Sequence, residues 1–390
     1  MRIGIDARLY RSSAAGIGRY SQNLIKNLLA IDNENEYVLF MTPEDKKEFD
    51  LPNKNIKIIQ VDIPHYSLAE QTKMVKIIEK EKCDLVHFLN FNYPVCYKGK
   101  FIVTIHDLTL LFYPDAAKKT NFIKQSAFRY VFKKACKNSS RIIAVSENTK
   151  KDIIKTFNIP EAKIKVIYEA ADDKKLLSDE KSLENIKHKY HIDEKKIILY
   201  VGQFRQHKNI QGLLNAYEIL KKKMSVRLVL IGKVTENIKK YIDSKPEIRD
   251  TLTLGNTSDI AEESVIMPGF VSDEELAAWY KLADVFVFPS FYEGFGLPGL
   301  EAMQAGLPVV ASKVTSLPEI YNNAALYFDP LKPDDIADKI EIVLNNKNKK
   351  EELIKNGYEN IKKYSWGKCA QETLDLYKQI QKSEILNPKS

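Results

Sequence analysis

Residues 290–311 read SFYEGFGLPGLEAMQAGLPVVA, with Glu293 and Glu301 eight positions apart across Gly294, Gly296, Pro298 and Gly299. Two carboxylates joined by bare backbone suit a polyol attached to an anion. A carboxylate accepts two hydrogen bonds from a vicinal diol such as a ribose. Amides at 294–297, unshielded by side chains, and a helix start near Pro298 favour a negative group between the acids. The stretch therefore reads as sugar acid, anion cradle and ribose acid. In this reading Glu301, three residues past Pro298, faces out from the first turn of a helix toward the same crevice. The bland alternative is a solvated loop glutamate at 293 and, at 301, an N-terminal helix glutamate doing dipole work. A second glycine-bearing segment, AAGIGRYSQNLIKNLL (14–29), leads through Gly16 and Gly18 into a helix with Tyr20, Leu24, Ile25, Leu28 and Leu29 on one face. It is not the dinucleotide fingerprint, because Ser21 stands where a third glycine is required. Phosphate contact and a flexible connector both remain open for it.

These groups need elements to position them. Apolar runs alternate with amphipathic helical patterns, which argues for parallel α/β layers. Strand candidates are 2–6, 37–40, 56–61, 85–89, 101–106 and 141–146 in the first half, then 196–202, 226–232, 265–269, 284–289 and 307–312. The expected fold is α/β, with two Rossmann-like open sheets, each starting with a strand and a glycine-bearing turn. The charged stretch 165–196 between them reads as a hinge. DVFVFP precedes the opening loop as a strand, a helix follows over roughly 298–305, and Gly306 supplies its left-handed stop. Glu293 then lies at a strand's carboxyl end, where open α/β sheets bind ligands.

Composition narrows the partners. The chain has 390 residues, 44% hydrophobic and 29% charged, which suits two soluble domains. Met1 runs directly into RIGID, leaving no room for a secretory leader, and no apolar run nears the roughly 18 residues of a membrane span. Cys83, Cys96, Cys136 and Cys369 show neither metal nor disulfide spacing. A cytoplasmic location is expected. A formal charge of +8 suits anionic partners and also plain solubility. Nucleic acid ranks last, since the lysines are spread along the chain with no basic stripe.

EGFGLPGLE resembles the E-x7-E motif of retaining glycosyltransferases of the GT-B fold, family GT4. The resemblance extends in family order through MRIGIDAR with GIGRY, TIHDLTLLFYPD (104–115), RIIAVSENTKKDI (141–153), YVGQFRQHKNI (200–210), MPGFVSDEELAAWYKLADVFVFPS (267–290), GLPVVAS with SLPEI (306–320) and YSWGKCAQETLDLY (364–377). The pattern is most similar to bacterial mannosyltransferases that use GDP-mannose to build surface polysaccharide. The resemblance implies two Rossmann-like domains facing a cleft. Residues 1–175, joined by a C-terminal helix at about 368–385, would bind acceptor, and 190–365 would bind nucleotide sugar.

It further implies that Glu301 bonds the ribose, while Glu293 and the backbone at Phe295, Gly296 and Leu297 hold the donor sugar and distal phosphate. Arg205 and Lys208 would pair with the diphosphate, with Gly202 in the same turn. His106 would lie by the donor sugar, and Gly18 would bring first-domain backbone to the phosphate. Main chain from Gly269 through Phe270 to Val271, with Leu276, would grip the base. Asp107 and Tyr20 are acceptor-side candidates, Asp107 equally a turn cap. Relatives carry an arginine where this chain has His207 or Gln203, so the choice between Arg205 and His207 at the phosphate stays open.

Breaking a sugar–diphosphate bond places negative charge on the leaving group. No D-x-D occurs to hold a metal, so fixed cations and a helix start are expected to meet that charge without metal or other cofactor. No carboxylate is placed as a nucleophile, and the resemblance implies retention by front-face attack. His106 reads as a hydrogen-bonding group ahead of a general base. An epimerase of the same fold and a non-catalytic sugar-binding assembly protein are the rival readings. On the acceptor side, 118–141 reads as a basic helix with Phe122, Ile123, Ala127, Tyr130, Val131 and Ala135 near helical spacing. Either it packs that face into its own domain, or it contacts anionic lipid at the inner face of the membrane, where lipid-linked acceptors reside. FLNFNYPVCY (88–97) could line an acceptor groove or be core.

Overall fold

The computed structural model describes residues 1–11, 14–50, 55–113, 122–172, 179–192, 195–249, 252–254 and 265–386. The described residues fall into two units, one drawn from 1–170 together with 364–386, the other from 171–363.

In the first unit, strands β1 (Arg2–Asp6), β2 (Glu36–Met41), β3 (Ile56–Gln60), β4 (Leu85–Phe88), β5 (Phe101–Ile105), β6 (Arg141–Ala144) and β7 (Ile164–Val166) form a sheet in the order β3-β2-β1-β4-β5-β6-β7. Every adjacent pair is parallel. The inner strands are buried on both faces, which is why they read as unbroken apolar runs. Leu24, Ile25 and Leu28 of the helix Ala15–Ile31 share one core with Cys369, Ala370 and Tyr377 of the helix Trp366–Leu386. The aromatic stretch after β4 belongs to the opposite core. Phe91 stacks on Phe132 at 3.7 Å and Tyr93 on Phe101 at 4.6 Å, so these rings are structural and line no groove.

The second unit contains β8 (Lys196–Val201), β9 (Val226–Ile231), β10 (Leu252–Leu254), β11 (Val265–Gly269), β12 (Val285–Phe288), β13 (Val309–Ser312) and β14 (Ala325–Phe328), ordered β10-β11-β9-β8-β12-β13-β14. All pairs are again parallel. Chain order reverses between β8 and β12, which makes their carboxyl ends the topological switch point.

Several elements were not anticipated. Strands β7, β10 and β14 are absent from the sequence-based set. The stretch 165–196 is not simply a hinge: it contributes the end of β7 to the first unit and the helix Glu180–Lys189, packed on the helix Asp273–Leu282, to the second. Its residues 173–178 and 193–194 lie outside the described residues. The basic helix spans Phe122–Asn138 in a register other than the expected one. It buries Phe132, Ala135 and Cys136 while Ile123, Ala127 and Tyr130 stand exposed; residues 118–121 and the Phe122 side chain lie outside the described set. Pro114 and Asp115 of TIHDLTLLFYPD do likewise. Among the described residues, no helix is long and apolar enough to cross a membrane.

Candidate active site

Two loops meet at the switch point of the second sheet. The loop after β8 closes with a tight turn, Gln206–Lys208, and Asn209 then caps the helix Ile210–Leu220 by accepting from the Gly212 amide at 3.1 Å. Asn209 also donates to the Pro330 carbonyl at 2.8 Å, which fixes the position of the preceding lysine. The loop after β12 is joined to this turn by the Phe291 amide, which donates to the His207 carbonyl at 2.7 Å. The result is an ion pair: Lys208 Nζ donates to Glu293 Oε1 at 2.5 Å. Ser290 Oγ donates to the same oxygen at 2.6 Å. Lys208 Nζ also lies 5.4 Å from the centre of the Phe288 ring. Glu293 is 8% exposed, so the reading of a solvated loop acid does not hold.

The backbone beyond Glu293 is held from beneath. The Glu293 amide donates to Thr315 Oγ1 at 3.1 Å, and Ser316 Oγ donates to the Glu293 carbonyl at 3.0 Å. Tyr321 donates to the Gly296 carbonyl at 2.6 Å. Gly296 has φ 104°, and a Cβ there would sit 2.6 Å from the Tyr321 hydroxyl, so both backbone shape and space demand glycine. It caps the helix Leu297–Gln304 without any side-chain hydrogen bond to the helix start. With Pro298 in the first turn, this is a helix start suited to an anion.

Glu301 is the fifth residue of that helix, beyond its first turn, and is 3% exposed. The outward-facing position expected from sequence is therefore corrected. Tyr280, from the helix Asp273–Leu282, donates to Glu301 Oε2 at 3.0 Å, with the Pro298 carbonyl a second acceptor at 3.3 Å. Tyr280, Ser290, Thr315, Ser316 and Tyr321 were all missed as supports. Ser316 and Tyr321 lie in and next to the SLPEI segment, whose spacing alone assigns no partner.

His207 is buried, and burial together with the Lys208 and Arg205 charges pushes its pKa down to about 3. A neutral ring does not supply phosphate charge, and Arg205 is the exposed cation of the turn. Gly202 and Gly269 end their strands with positive φ of 157° and 84°. Phe270 is 91% exposed, Val271 half-buried and Leu276 buried.

In the first unit, His106 follows β5 with both ring nitrogens engaged. Nδ1 lies 2.8 Å from Glu169 Oε1 and Nε2 lies 2.9 Å from the Leu89 carbonyl. Both partners are acceptors, an arrangement that favours a ring protonated on both nitrogens. Burial opposes the charge, but the Glu169 hydrogen bond and charge outweigh it and raise the pKa. With both nitrogens engaged, the ring fits the hydrogen-bonding role expected of it ahead of a general base. Glu169 was missed because it lies within the stretch read as hinge.

Three further first-unit residues or segments take definite places. Tyr20 is fully buried, its hydroxyl on Thr104 at 3.0 Å and its ring edge-on to His106 at 4.7 Å; it is core, not an acceptor contact. Asp107 accepts from the Thr109 amide at 2.8 Å, capping a turn. Gly16 and Gly18 both lie inside the helix Ala15–Ile31, not before it. A Cβ on Gly18 would stand 2.3 Å from the Arg11 carbonyl, so Gly18 serves close packing, and Gly16 is the one with open space. Among the described residues, no group of three or more His, Cys, Asp or Glu side chains could hold a metal ion.

Comparison with known proteins follows the same division. Residues 14–175 match the model for Glycosyltransferase Family 4, and residues 182–360 match Glycosyl transferases group 1. The chain is 30% identical over 380 residues to O-antigen chain mannosyltransferase B of Escherichia coli, covering 93% of this chain and 96% of that one. Among solved structures, sucrose-phosphate synthase of Thermosynechococcus elongatus superposes with a TM-score of 0.75 at 21% identity, over 98% of this chain and 100% of that one. Anabaena HepE in complex with UDP and glucose gives 0.74 at 15% identity, over 97% and 100%. With both halves matched in order and the likeness sustained from end to end, the chain belongs to the family 4 glycosyltransferases of the GT-B fold.

Proposed function

We propose that this glycosyltransferase moves mannose from GDP-mannose to a saccharide acceptor, free or lipid-linked, in surface polysaccharide synthesis. The observation that carries the reading is the largely buried Lys208–Glu293 pair at the switch point, beside the helix start at Leu297 and the Tyr280-anchored Glu301. The mannose assignment draws on the Escherichia coli relative, which is a mannosyltransferase.

In this reading Glu301 binds the ribose and Glu293 the sugar hydroxyls. The 295–297 amides, Lys208 and Arg205 receive the diphosphate. As the bond from the anomeric carbon to phosphate breaks, negative charge grows on the phosphate, where Lys208, Arg205 and the helix start are already in place. No reorganisation is then required at the moment of reaction, and the fixed cations do the work otherwise given to a metal. The acceptor oxygen bonds the anomeric carbon on the face the phosphate leaves, and its proton passes to a leaving phosphate oxygen. Products are a nucleoside diphosphate and a glycoside of unchanged anomeric configuration. No base role is proposed for His106.

The test is a panel of nucleotide sugars scored by thermal shift and slow hydrolysis, with and without EDTA. GDP-mannose is expected to stabilise the protein most, Glu301→Ala to abolish the shift, and EDTA to change nothing. Preference for a UDP-sugar refutes the mannose assignment, and a strict magnesium requirement in the chemical step refutes the fixed-charge mechanism.

A further inference from the structure

Thr315 stands in the loop that leaves β13, one strand beyond the switch point, with φ 49°. Seven non-glycine residues have positive φ among the described residues, and three of them are asparagine, which tolerates that region. Thr315 alone among them is β-branched, a side chain for which such backbone is strained. The Leu317 amide donates to the Val314 carbonyl at 3.2 Å, so Thr315 takes the first central position of a tight turn. With positive φ that position is ordinarily glycine, asparagine or aspartate. Glycine would make this turn without strain, so the threonine side chain needs a reason.

Its hydroxyl supplies one. Oγ1 accepts from the Glu293 amide at 3.1 Å, its one hydrogen bond among the described residues. The neighbouring Ser316 hydroxyl donates to the Glu293 carbonyl at 3.0 Å, with the Phe295 carbonyl at 3.4 Å. Side chains of a single turn thus hold Glu293 by its amide and by its carbonyl. At the other end of the residue, Lys208 and Ser290 both donate to Oε1, at 2.5 and 2.6 Å. Oε2 takes no hydrogen bond among the described residues. A carboxylate fixed at three points presents its remaining oxygen in one place.

We infer that Thr315 is a positioning residue, kept in strained backbone so that its hydroxyl fixes Glu293 and, with it, the oxygen that reads the donor sugar. This rests on the reading of Glu293 as the sugar acid. One oxygen with two lone pairs accepts from one hydroxyl or from two adjacent ones. Its position therefore selects among sugars that differ at those carbons. A backbone free to shift at Glu293 leaves the nucleotide's contacts intact and loses those of the sugar. Strain held at an anchoring residue is an exchange of stability for function.

The experiment compares Thr315→Ser, Thr315→Gly and Thr315→Val in the full chain. Serine keeps the hydroxyl, glycine removes hydroxyl and strain together, and valine removes the hydroxyl alone. Thermal midpoints report the strain, and the glycine variant should unfold about 2–4 °C above the valine variant. Hydrolysis of GDP-mannose reports the positioning. Glycine and valine should both lower kcat/KM by about tenfold to a hundredfold, while serine stays within about threefold of wild type. Affinity for GDP, which carries no sugar, should change by less than about twofold in all three. If the wild type prefers uridine, UDP-glucose and UDP replace this pair. Activity that follows the thermal midpoint, a glycine variant within about threefold of wild type, or GDP affinity lost in step with turnover overturns the inference. Glycine against serine decides the matter even where the valine variant does not fold. Glu293→Ala, measured beside them, keeps the two readings apart. If it retains turnover, the sugar-acid reading fails and takes this inference with it. If it loses turnover while Thr315→Gly does not, the positioning role alone fails.

Discussion

Replacing Lys208 by methionine tests the pair on which the site is built. Nζ and Oε1 stand 2.5 Å apart, with the two side chains 18% and 10% exposed. At an effective dielectric of about 20 their gross attraction is about 7 kcal/mol, against a desolvation cost of several kcal/mol per ion. The net worth of the pair is thus modest, but removing one member strands the other. Lys208→Met leaves Glu293 with Ser290 as its partner at that oxygen, at a cost of about 3 kcal/mol, eased by residual solvent contact. Glu293→Gln strands the lysine in the same way. The double variant should therefore lose little more than either single one, giving a coupling of about 1–3 kcal/mol. Urea denaturation followed by Trp279 fluorescence in a Trp366→Phe background reports the second unit, since these are the chain's two tryptophans. In single turnover, Lys208→Met should slow transfer by about 10²–10³, the effect of losing one preorganised charge-stabilising group. Additive stability losses within about 0.5 kcal/mol would show the pair to be uncoupled, and a rate within about fivefold of wild type would refute its catalytic part.

Gly296→Ala should cost about 1–3 kcal/mol, because φ is 104° and the new methyl meets the Tyr321 hydroxyl. Adding Tyr321→Phe should recover only the steric share in thermal denaturation, and full recovery would show that the backbone is unstrained. Tyr280→Phe should raise the donor KM about tenfold with kcat kept, the loss of a hydrogen bond to a charged group; an unchanged KM would deny Glu301 a donor role. His87 is fully buried between Tyr377 and Thr104, and burial followed by the His106 charge pushes its pKa down to about 3. The unfolded ring takes a proton near pH 6.5 and the folded one resists it. Stability should therefore be full above that value and fall by about 2 kcal/mol from pH 7 to 5. His87→Gln should flatten that loss in urea titrations of the first unit. His106 acts in the opposite sense, its contribution present at low pH and lost as pH rises through its raised value.

Central strands were legible because burial on both faces leaves one continuous apolar run. Edges were not: three of the four edge strands, β7, β10 and β14, escaped. β7 and β10 are three residues long, while β7 and β14 are partly exposed, so polar and apolar positions mix and the signal drops to that of a loop. Glu293, Gly296 and Pro298 were legible for a different reason. Their backbone requirements are local, and local requirements are written in consecutive residues.

What sequence could not supply is why Lys208 meets Glu293 across 85 positions. That meeting follows from strand order. β8 and β12 are neighbours at the one place where the sheet's winding reverses, so the loop leaving each must open beside the other. The same reasoning explains the misjudged helix at Phe122–Asn138. Helical spacing identifies two apolar faces there, one through Phe128, Phe132 and Ala135, the other through Ile123, Ala127 and Tyr130. Only the neighbouring rings, Phe91 on Phe132 above all, decide which one is inside.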